Sequence, residues 1–211
     1  MTKDLRRLIA GVILLAAFVL WTVAVCFIDV QVIGPCGSSV GFATVNGKFH
    51  SLTGVCMPLY MITDWLGLVP VAIGFAFAII GLIQLIKRKS LLKVDRDILA
   101  LGVFYVGVIV AYLAFEKFAI NYRPVLINGY LEASYPSSTT LLVLCVIPTA
   151  VLQVNKRVEN KKVKAVLMVV LAIFAAFTVI GRLISGVHWL TDIIGGIILS
   201  AALTVLYSAA V

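Results

Sequence analysis

Three groups of polar residues in the second half of the chain have types and spacing that suit phosphoryl chemistry. The groups are Arg123-Pro124, Pro136-Ser137-Ser138-Thr139, and Arg182 with His188 and Asp192. A guanidinium group presents a planar set of donors that matches phosphate oxygens. A histidine with one ring nitrogen held by a carboxylate keeps its other nitrogen free as a nucleophile or base. Together these residues could bind a phosphoryl group and react with it.

The positions of these residues suggest how they meet. His188 and Asp192 are four residues apart, so we expect them to share one face at the start of the last helix. Ser137 opens another predicted helix, whose first backbone N–H groups lack partners and attract anions. Ser138 and Thr139, in that first turn, are further candidates for contact with a phosphate.

Each feature also has a structural interpretation. Arg123 and Arg182 could simply contact lipid phosphates at the membrane surface, and His188 with Asp192 could be a stabilising pair. Chance would seldom place all of them at consecutive helix ends on one membrane face. Ionisable groups at such positions in a membrane protein are candidates for function by default. We therefore treat the three groups as one predicted site.

The composition identifies the protein as membrane-embedded. Of its 211 residues, 63% are hydrophobic and only 12% are charged, against roughly half and a quarter in soluble proteins. This excludes an ordinary soluble enzyme. The net charge of +8 has no accompanying basic, aromatic-rich patch, so we predict no nucleic-acid partner, and the bilayer is the expected surrounding.

Six apolar segments are long enough to cross a bilayer, which needs about 20 residues in a helix. The predicted spans are 8–27, 67–86, 98–115, 138–154, 165–181 and 193–211. Lipid offers the backbone no hydrogen-bond partner, and the alternating pattern of a barrel is absent, so each span is predicted to be a helix. The first is too long for a signal peptide and is predicted to be retained. The expected fold is an all-α bundle forming one membrane domain, 1–211, with two spans and a loop in 1–97 and the polar motifs in 98–200.

Basic residues predict the orientation. With both termini in the cytoplasm, thirteen of the seventeen lysines and arginines lie inside, as the positive-inside rule requires. The other four are Lys48, Lys117, Arg123 and Arg182. The polar motifs are therefore expected on the outer face, and the plasma membrane of a bacterium is the predicted location.

The first outer connection, 28–58, is predicted to be a partly ordered loop on the membrane. It holds Cys36 and Cys56, which share an oxidising side, but the sequence does not show whether their Cα atoms come within bridging distance. A disulfide between them is left open.

The motifs resemble those of the membrane-bound type 2 phosphatidic acid phosphatase superfamily, whose pattern is shared with vanadium haloperoxidases. That pattern is a lysine, six residues and Arg-Pro; Pro-Ser-Gly-His; and Ser-Arg, five residues, His, three residues and Asp. The resemblance covers about residues 98–200, and the six-span layout agrees. It implies that His188 attacks phosphorus to give a phosphohistidine and that Asp192 orients His188. It also implies that Arg123, Arg182 and Ser137 hold the phosphoryl oxygens, with no metal or organic cofactor.

Three positions depart from the family pattern. Glu116 occupies the lysine position, and Lys117, one residue away, is the predicted substitute contact to phosphate. Gly181 replaces the serine before Arg182, which removes one hydroxyl donor. Thr139 replaces the histidine that acts as general acid, and a threonine hydroxyl does not titrate near neutral pH.

The missing acid bears on the expected substrate. General acid catalysis contributes about 10²- to 10⁴-fold, and an alkoxide leaving group needs it more than a phosphate leaving group does. We therefore expect a membrane lipid phosphatase that prefers a lipid pyrophosphate, such as a polyprenyl pyrophosphate, over a phosphatidate-type monophosphate. Substitute acids are left open among Tyr135, Lys117, His50 and Glu116.

Two other classes compete with this interpretation. A non-catalytic member of the family would bind lipid phosphate without turning it over, and Thr139 favours that alternative. A small-solute transporter would be expected to have polar or broken helices at mid-membrane, whereas here the charges cluster at one face. The sequence leaves the oligomeric state open.

Overall fold

A computed structural model describes residues 2–211, which form eight α-helices and one small sheet. The helices are α1 Lys3–Phe27, α2 Ala43–Thr53, α3 Met57–Leu66, α4 Leu68–Arg88, α5 Arg96–Lys117, α6 Ser138–Arg157, α7 Lys161–Ile184 and α8 Leu190–Ala210. Strands β1 (Gln31–Val32) and β2 (Ser39–Val40) pair antiparallel. Among these residues, six helical stretches are long and apolar enough to cross a membrane. The predicted all-α bundle with six spans is confirmed.

The observed helices extend beyond the predicted spans because helices end at caps rather than at the edge of the hydrocarbon. The side chain of Thr2 accepts a hydrogen bond from the backbone N–H of Leu5 at 3.3 Å, so α1 begins at Lys3. Asn160 Oδ1 accepts from the N–H of Lys162 at 3.0 Å in the same way, and α7 begins at Lys161. Capping side chains satisfy the unpaired N–H groups of the first turn.

The second span begins earlier than predicted. α3 leads into α4 with only Gly67 between them, and 57–88 forms one apolar stretch of 32 residues. The first turns of α3 lie beside the polar motifs, because the backbone N–H of Cys56 donates to the carbonyl of Ser185 at 2.9 Å. This segment therefore adds residues to the site that the motif pattern does not include.

The connection after α1 has more structure than the predicted loop. It contains β1, β2 and α2, and it is anchored on α8 through the buried Asn46. The side-chain amide of Asn46 donates to Gly41 O at 2.7 Å and to Thr191 Oγ1 at 3.0 Å. Cys36 and Cys56 are both free thiols on the surface, so the structure contains no disulfide between them.

α6 is the central helix of the bundle and the most buried of the six spans. It packs against α7 and α8, and α1 lies along α8. An apolar core joins Phe18 and Val25 of α1 to Leu141 and Cys145 of α6 and Leu199 of α8. The outer faces of α1, α4, α5 and α7 expose many large apolar side chains, as lipid-facing helices do.

The alternating direction of the spans gives the bundle two distinct ends. At the first, which we call the site end, α1, α5 and α7 finish while α3, α6 and α8 begin. Arg123, Ser137, Arg182, His188 and Asp192 all belong to this end. The opposite end carries the thirteen basic residues assigned to the inner side and the carboxylates of Asp95 and Asp97.

Candidate active site

His188 lies in the turn between α7 and α8, not on the helix. Trp189, the residue before α8, has an extended backbone with φ −70° and ψ 153°. The expectation that His188 and Asp192 share a helical face is therefore wrong. Asp192 caps its own helix, with Oδ2 accepting from the backbone N–H of Trp189 at 2.9 Å, and the helix does not extend back through that cap.

The cap nevertheless brings the carboxylate to the imidazole. His188 Nδ1 lies 3.8 Å from Asp192 Oδ2. The other carboxylate oxygen accepts from the side-chain amide of Asn121 at 3.3 Å. Both His188 and Asp192 are buried. One carboxylate thus ends the α8 backbone, contacts a neighbouring loop and faces the histidine.

The contact between Arg123 and His188 identifies the free ring nitrogen. Arg123 Nη1 lies 3.2 Å from His188 Nε2. Arginine has only donors, so Nε2 is the acceptor and carries a lone pair. In the neutral ring the proton then sits on Nδ1, which faces Asp192. Burial, with the positive charges of Arg123 and Arg182, holds the pKa of His188 well below its usual value.

A short hairpin positions Arg123. The backbone N–H of Arg123 donates to Glu132 O at 3.0 Å, and Ile127 and Tyr130 exchange backbone hydrogen bonds at the tip. Between them, Asn128 and Gly129 have φ of 51° and 84°, the left-handed pair of a type I′ turn. An Asn-Gly pair between extended segments signals such a hairpin, so the sequence held a cue to this element.

Arg182 is almost completely buried near the end of α7, where its guanidinium contacts two other helices. Nη2 donates to Asp64 Oδ1 at 2.7 Å and to Thr139 Oγ1 at 2.5 Å. Nη1 donates to the backbone carbonyl of Tyr60 at 3.5 Å. Arg182 therefore ties the end of α7 to α3 and to the first turn of α6.

The ring of Tyr60 contacts both guanidinium groups. Its ring centre lies 4.7 Å from the guanidinium carbon of Arg182 and 5.6 Å from that of Arg123. Aromatic faces attract cations at this range, so one ring steadies two like charges that would otherwise repel. The motif pattern missed Tyr60 and Asp64. The available cue was that Asp64 is the only charged residue in 57–86, a strongly apolar stretch.

Ser137 is the N-cap of α6. Its Oγ accepts from the backbone N–H of Thr140 at 3.5 Å, and its own N–H donates to Asp192 O at 3.0 Å. A hydroxyl that accepts one hydrogen bond still has a proton to donate. Ser138 is half-buried and lines a cavity of about 10 Å³ that His188 also lines.

A comparison with models of known protein families identifies the family of this chain. Residues 99–211 match the model of the PAP2 superfamily, which covers more than half of the chain and includes all three motifs. The chain belongs to the PAP2 superfamily. The type 2 phosphatase family indicated by the motifs is thereby confirmed.

One solved structure has a similar fold over almost the whole length of this chain. It is a transmembrane PAP2-type phosphatidylglycerolphosphate phosphatase from Bacillus subtilis, with a TM-score of 0.59, 20% identity and 94% of each chain covered. At this identity the match shows the fold. A comparison with curated protein sequences found no match. Family and fold together support an integral-membrane phosphatase.

All three departures from the PAP2 pattern lie near the cluster, since Thr139 also contacts Arg182. Glu116 lines the small cavity beside His188. A Cβ atom on Gly181 would lie 2.7 Å from Thr63 Cγ2, so the glycine allows α7 to approach α3. Lys117, by contrast, is not brought to the cluster. It is exposed, with Nζ 5.9 Å from the ring centre of Phe118.

Two of the predicted substitute acids are engaged elsewhere. The hydroxyl of Tyr135 pairs with Thr22 Oγ1 at 2.7 Å, and burial raises the pKa of Tyr135 above its ordinary value. The ring of His50 rests against Trp189 with 5.5 Å between ring centres, and burial lowers the pKa of His50.

Within 2–211, no three His, Cys, Asp or Glu side chains lie close enough to hold a metal ion.

Proposed function

We propose that this PAP2 protein hydrolyses a phosphate or pyrophosphate ester of a lipid through a phosphohistidine on His188. The observation that carries the proposal is the 3.2 Å contact between His188 Nε2 and Arg123 Nη1. It places the lone pair of the proposed nucleophile next to a guanidinium group that can bind phosphate. Phosphoryl transfer needs just such positioning together with stabilisation of negative charge.

The surrounding residues have complementary proposed roles. Asp192 holds the Nδ1 proton and stabilises the positive charge that forms on the ring. Arg123 and Arg182 bind the phosphoryl oxygens, and Ser137 donates its free hydroxyl proton. Ser138 and Thr139, in the first turn of α6, are further proposed contacts. A direct contact from Lys117 stays a prediction, since its exposed side chain has no described bond to the cluster.

The proposed preference is for lipid pyrophosphates, because Thr139 leaves the α6 position without a titrating group. A pyrophosphate releases a phosphate, which leaves with little protonation, whereas a monophosphate releases an alkoxide. Loss of general acid catalysis lowers a rate by about 10²- to 10⁴-fold, and it lowers the rate of monophosphate hydrolysis more than that of pyrophosphate hydrolysis. The Bacillus subtilis neighbour is a phosphatidylglycerolphosphate phosphatase, so a lipid monophosphate of that kind is the second candidate substrate.

We also propose that the site end faces outward across a bacterial plasma membrane, with both termini in the cytoplasm. The thirteen basic residues of the opposite end support this orientation. Fusing a reporter that is active only outside the cytoplasm to residue 211 should give no signal, while the same reporter inserted in the Asn128-Gly129 turn should give one. The reverse pattern would contradict the orientation.

The function is tested by phosphate release from purified protein in detergent. A polyprenyl pyrophosphate should be hydrolysed faster than phosphatidic acid, and labelled substrate should leave an acid-labile phosphoryl group on the wild-type chain but not on His188→Ala. His50→Ala, at the second of only two histidines, is the matched control and should keep its activity. Full activity of His188→Ala would refute the mechanism.

The competing function is a non-catalytic protein that binds lipid phosphate, and Thr139 is the observation that favours it. In that case the wild-type protein releases no phosphate from any substrate, yet it binds lipid-phosphate vesicles. Binding would then fall in Arg123→Ala and Arg182→Ala. Turnover of any lipid phosphate that depends on His188 excludes this alternative.

A further inference from the structure

We propose that Asp64 is the general acid that protonates the leaving lipid oxygen, in place of the histidine that Thr139 replaces. The inference rests on the proposed hydrolysis through His188 and assigns a role at the same site. With an acid at Asp64 the protein turns over lipid monophosphates as well, so the preference for pyrophosphates is smaller than the change to Thr139 alone would give. Asp64 lies on α3, outside the region matched by the family model, and no motif includes it. Its assignment comes from where its carboxylate lies.

The carboxylate of Asp64 lies next to the hydroxyl of Thr139. Arg182 Nη2 donates to both, at 2.7 Å to Asp64 Oδ1 and at 2.5 Å to Thr139 Oγ1. Two oxygens bound to one nitrogen are close neighbours. The carboxyl group of Asp64 on α3 therefore lies near Thr139 of α6, the position that the family histidine occupies.

The carboxylate of Asp64 lies at the surface of the protein, whereas its partner is buried. The side chain of Asp64 is 54% exposed, and that of Arg182 is 1% exposed. Asp64 thus lies at the boundary between the buried guanidinium and the protein surface.

We expect a bound phosphate to release this carboxyl group. In the structure Asp64 pairs with Arg182. The phosphoryl oxygens of a lipid phosphate are competing acceptors for the same guanidinium. As Arg182 turns its donors to them, the Asp64 carboxyl group is freed to act on the leaving oxygen.

Two other carboxyl groups compete for this role. Glu132 Oε2 pairs with Arg123 Nε at 3.0 Å, the guanidinium that contacts the attacking nitrogen, and no described contact links Glu132 to Thr139. Glu116 lines the same small cavity as the imidazole, but none of its described contacts links it to Thr139 or to either guanidinium. In-line transfer requires the leaving oxygen to lie opposite the attacking nitrogen, so an acid that shares a cavity with the nucleophile is less suited. Glu116 is therefore a matched control for Asp64.

The proposed step balances as follows. His188 Nε2 forms a bond to phosphorus, the bond from phosphorus to the lipid oxygen breaks, and its electron pair stays on that oxygen. The proton of the Asp64 carboxyl passes to the oxygen, and the lipid alcohol leaves. Water then attacks phosphorus, the P–N pair returns to Nε2, a proton from the water restores the Asp64 carboxyl, and inorganic phosphate leaves.

The test compares leaving groups in Asp64→Asn, whose amide oxygen still accepts from Arg182. Turnover of phosphatidic acid should fall by about 10²-fold or more, the range of general acid catalysis. Turnover of a polyprenyl pyrophosphate should fall less than about tenfold. Glu116→Gln should change both by a similar small factor. In Asp64→Asn, the added change Thr139→His should restore monophosphate turnover.

The outcomes separate this inference from the proposed function. If the wild-type protein turns over neither substrate, or if turnover does not depend on His188, the proposed function fails. If wild-type turnover depends on His188 but Asp64→Asn lowers both substrates equally, Asp64 only holds Arg182 and the inference is overturned. Unchanged turnover also overturns it. Thermal unfolding checks the fold, and should Asp64→Asn not fold, Asp64→Glu must keep the monophosphate reaction for the inference to stand.

Discussion

The two ends of the bundle use similar ionic residues in different ways. At the opposite end, Asp97 Oδ2 accepts from Lys156 Nζ and Arg157 Nη2, each at 3.0 Å. Tyr207 donates to the backbone carbonyl of Asp97 at 3.4 Å and accepts from Gln153 at 3.1 Å. Every charged group in this cluster has a partner, and the cluster ties α5 to α6 and α8.

The site end contains polar atoms without partners. Within 2–211, all buried side-chain nitrogens and oxygens that lack a hydrogen bond lie at this end, among them Arg182 Nε and Thr140 Oγ1. Leaving such groups unpaired costs about 1–3 kcal/mol each, and native structures hold few of them. Arg182 Nε thus indicates a donor that is available to a ligand. Both ends carry charged residues. The candidate site differs from the structural cluster because some of its buried polar atoms have no hydrogen-bond partner.

The largest expected effect is from His188→Ala. Removing the proposed nucleophile should lower turnover by about 10⁴-fold or more, because the proposed covalent route is lost. Phosphate release in detergent measures this, and vesicle binding should persist through Arg123 and Arg182. Residual turnover within tenfold of wild type would place the chemistry elsewhere and remove the distinction between the two ends.

The next largest effect is expected from Asp192→Asn. The amide oxygen can still accept from Trp189, so α8 should keep its cap. An amide does not stabilise the imidazolium that forms on His188 and can favour the wrong tautomer, so kcat should fall by about 10²- to 10⁴-fold with little change in KM. A rise in KM with kcat unchanged would instead assign Asp192 a structural role only.

The sequence predicted much of the fold because the bilayer imposes a simple rule on apolar length and on basic loops. The six spans follow from that rule, and their ends differ only where caps such as Thr2 and Asn160 extend them. The motif residues Arg123, Ser137, Arg182, His188 and Asp192 are brought to one end for the same reason. Helix direction alternates, so consecutive motifs return to one face.

The rest of the site depends on contacts that spacing does not encode. The placement of His188 in the turn before α8 follows from the Asp192 cap. The contacts of Tyr60 and Asp64 with Arg182 follow from the packing of α3 against α7, which Gly181 permits. Lys117 adjoins the motif position in sequence, but its side chain points to a different environment from Glu116. Adjacent residues near a helix end face different directions, and sequence alone did not resolve which one meets the site.

A smaller effect is expected from Tyr60→Leu. The substitution removes the ring that contacts both guanidinium groups, and cation–π contacts are worth about 0.5–2 kcal/mol. We expect kcat/KM to fall by about 2- to 30-fold, mainly through KM, as the arginines lose their fixed separation. Tyr60→Phe keeps the ring and should stay near wild type. Equal losses in both variants would assign the effect to the hydroxyl instead.

The smallest effect on turnover is expected at the opposite end, from Asp97→Ala. The side chain of Asp97 is 6% exposed, and its loss removes two charge-assisted hydrogen bonds. The free energy of unfolding should fall by about 1–3 kcal/mol, toward the lower figure because Lys156 remains solvated. Asp95→Ala is the matched control, since its side chain is 33% exposed and exposed pairs contribute about 0–1 kcal/mol. Thermal unfolding in detergent measures both, and kcat per folded molecule should be unchanged in each. A loss of kcat without a loss of stability would mean that the satisfied cluster also serves the reaction, and the contrast between the two ends would then fail.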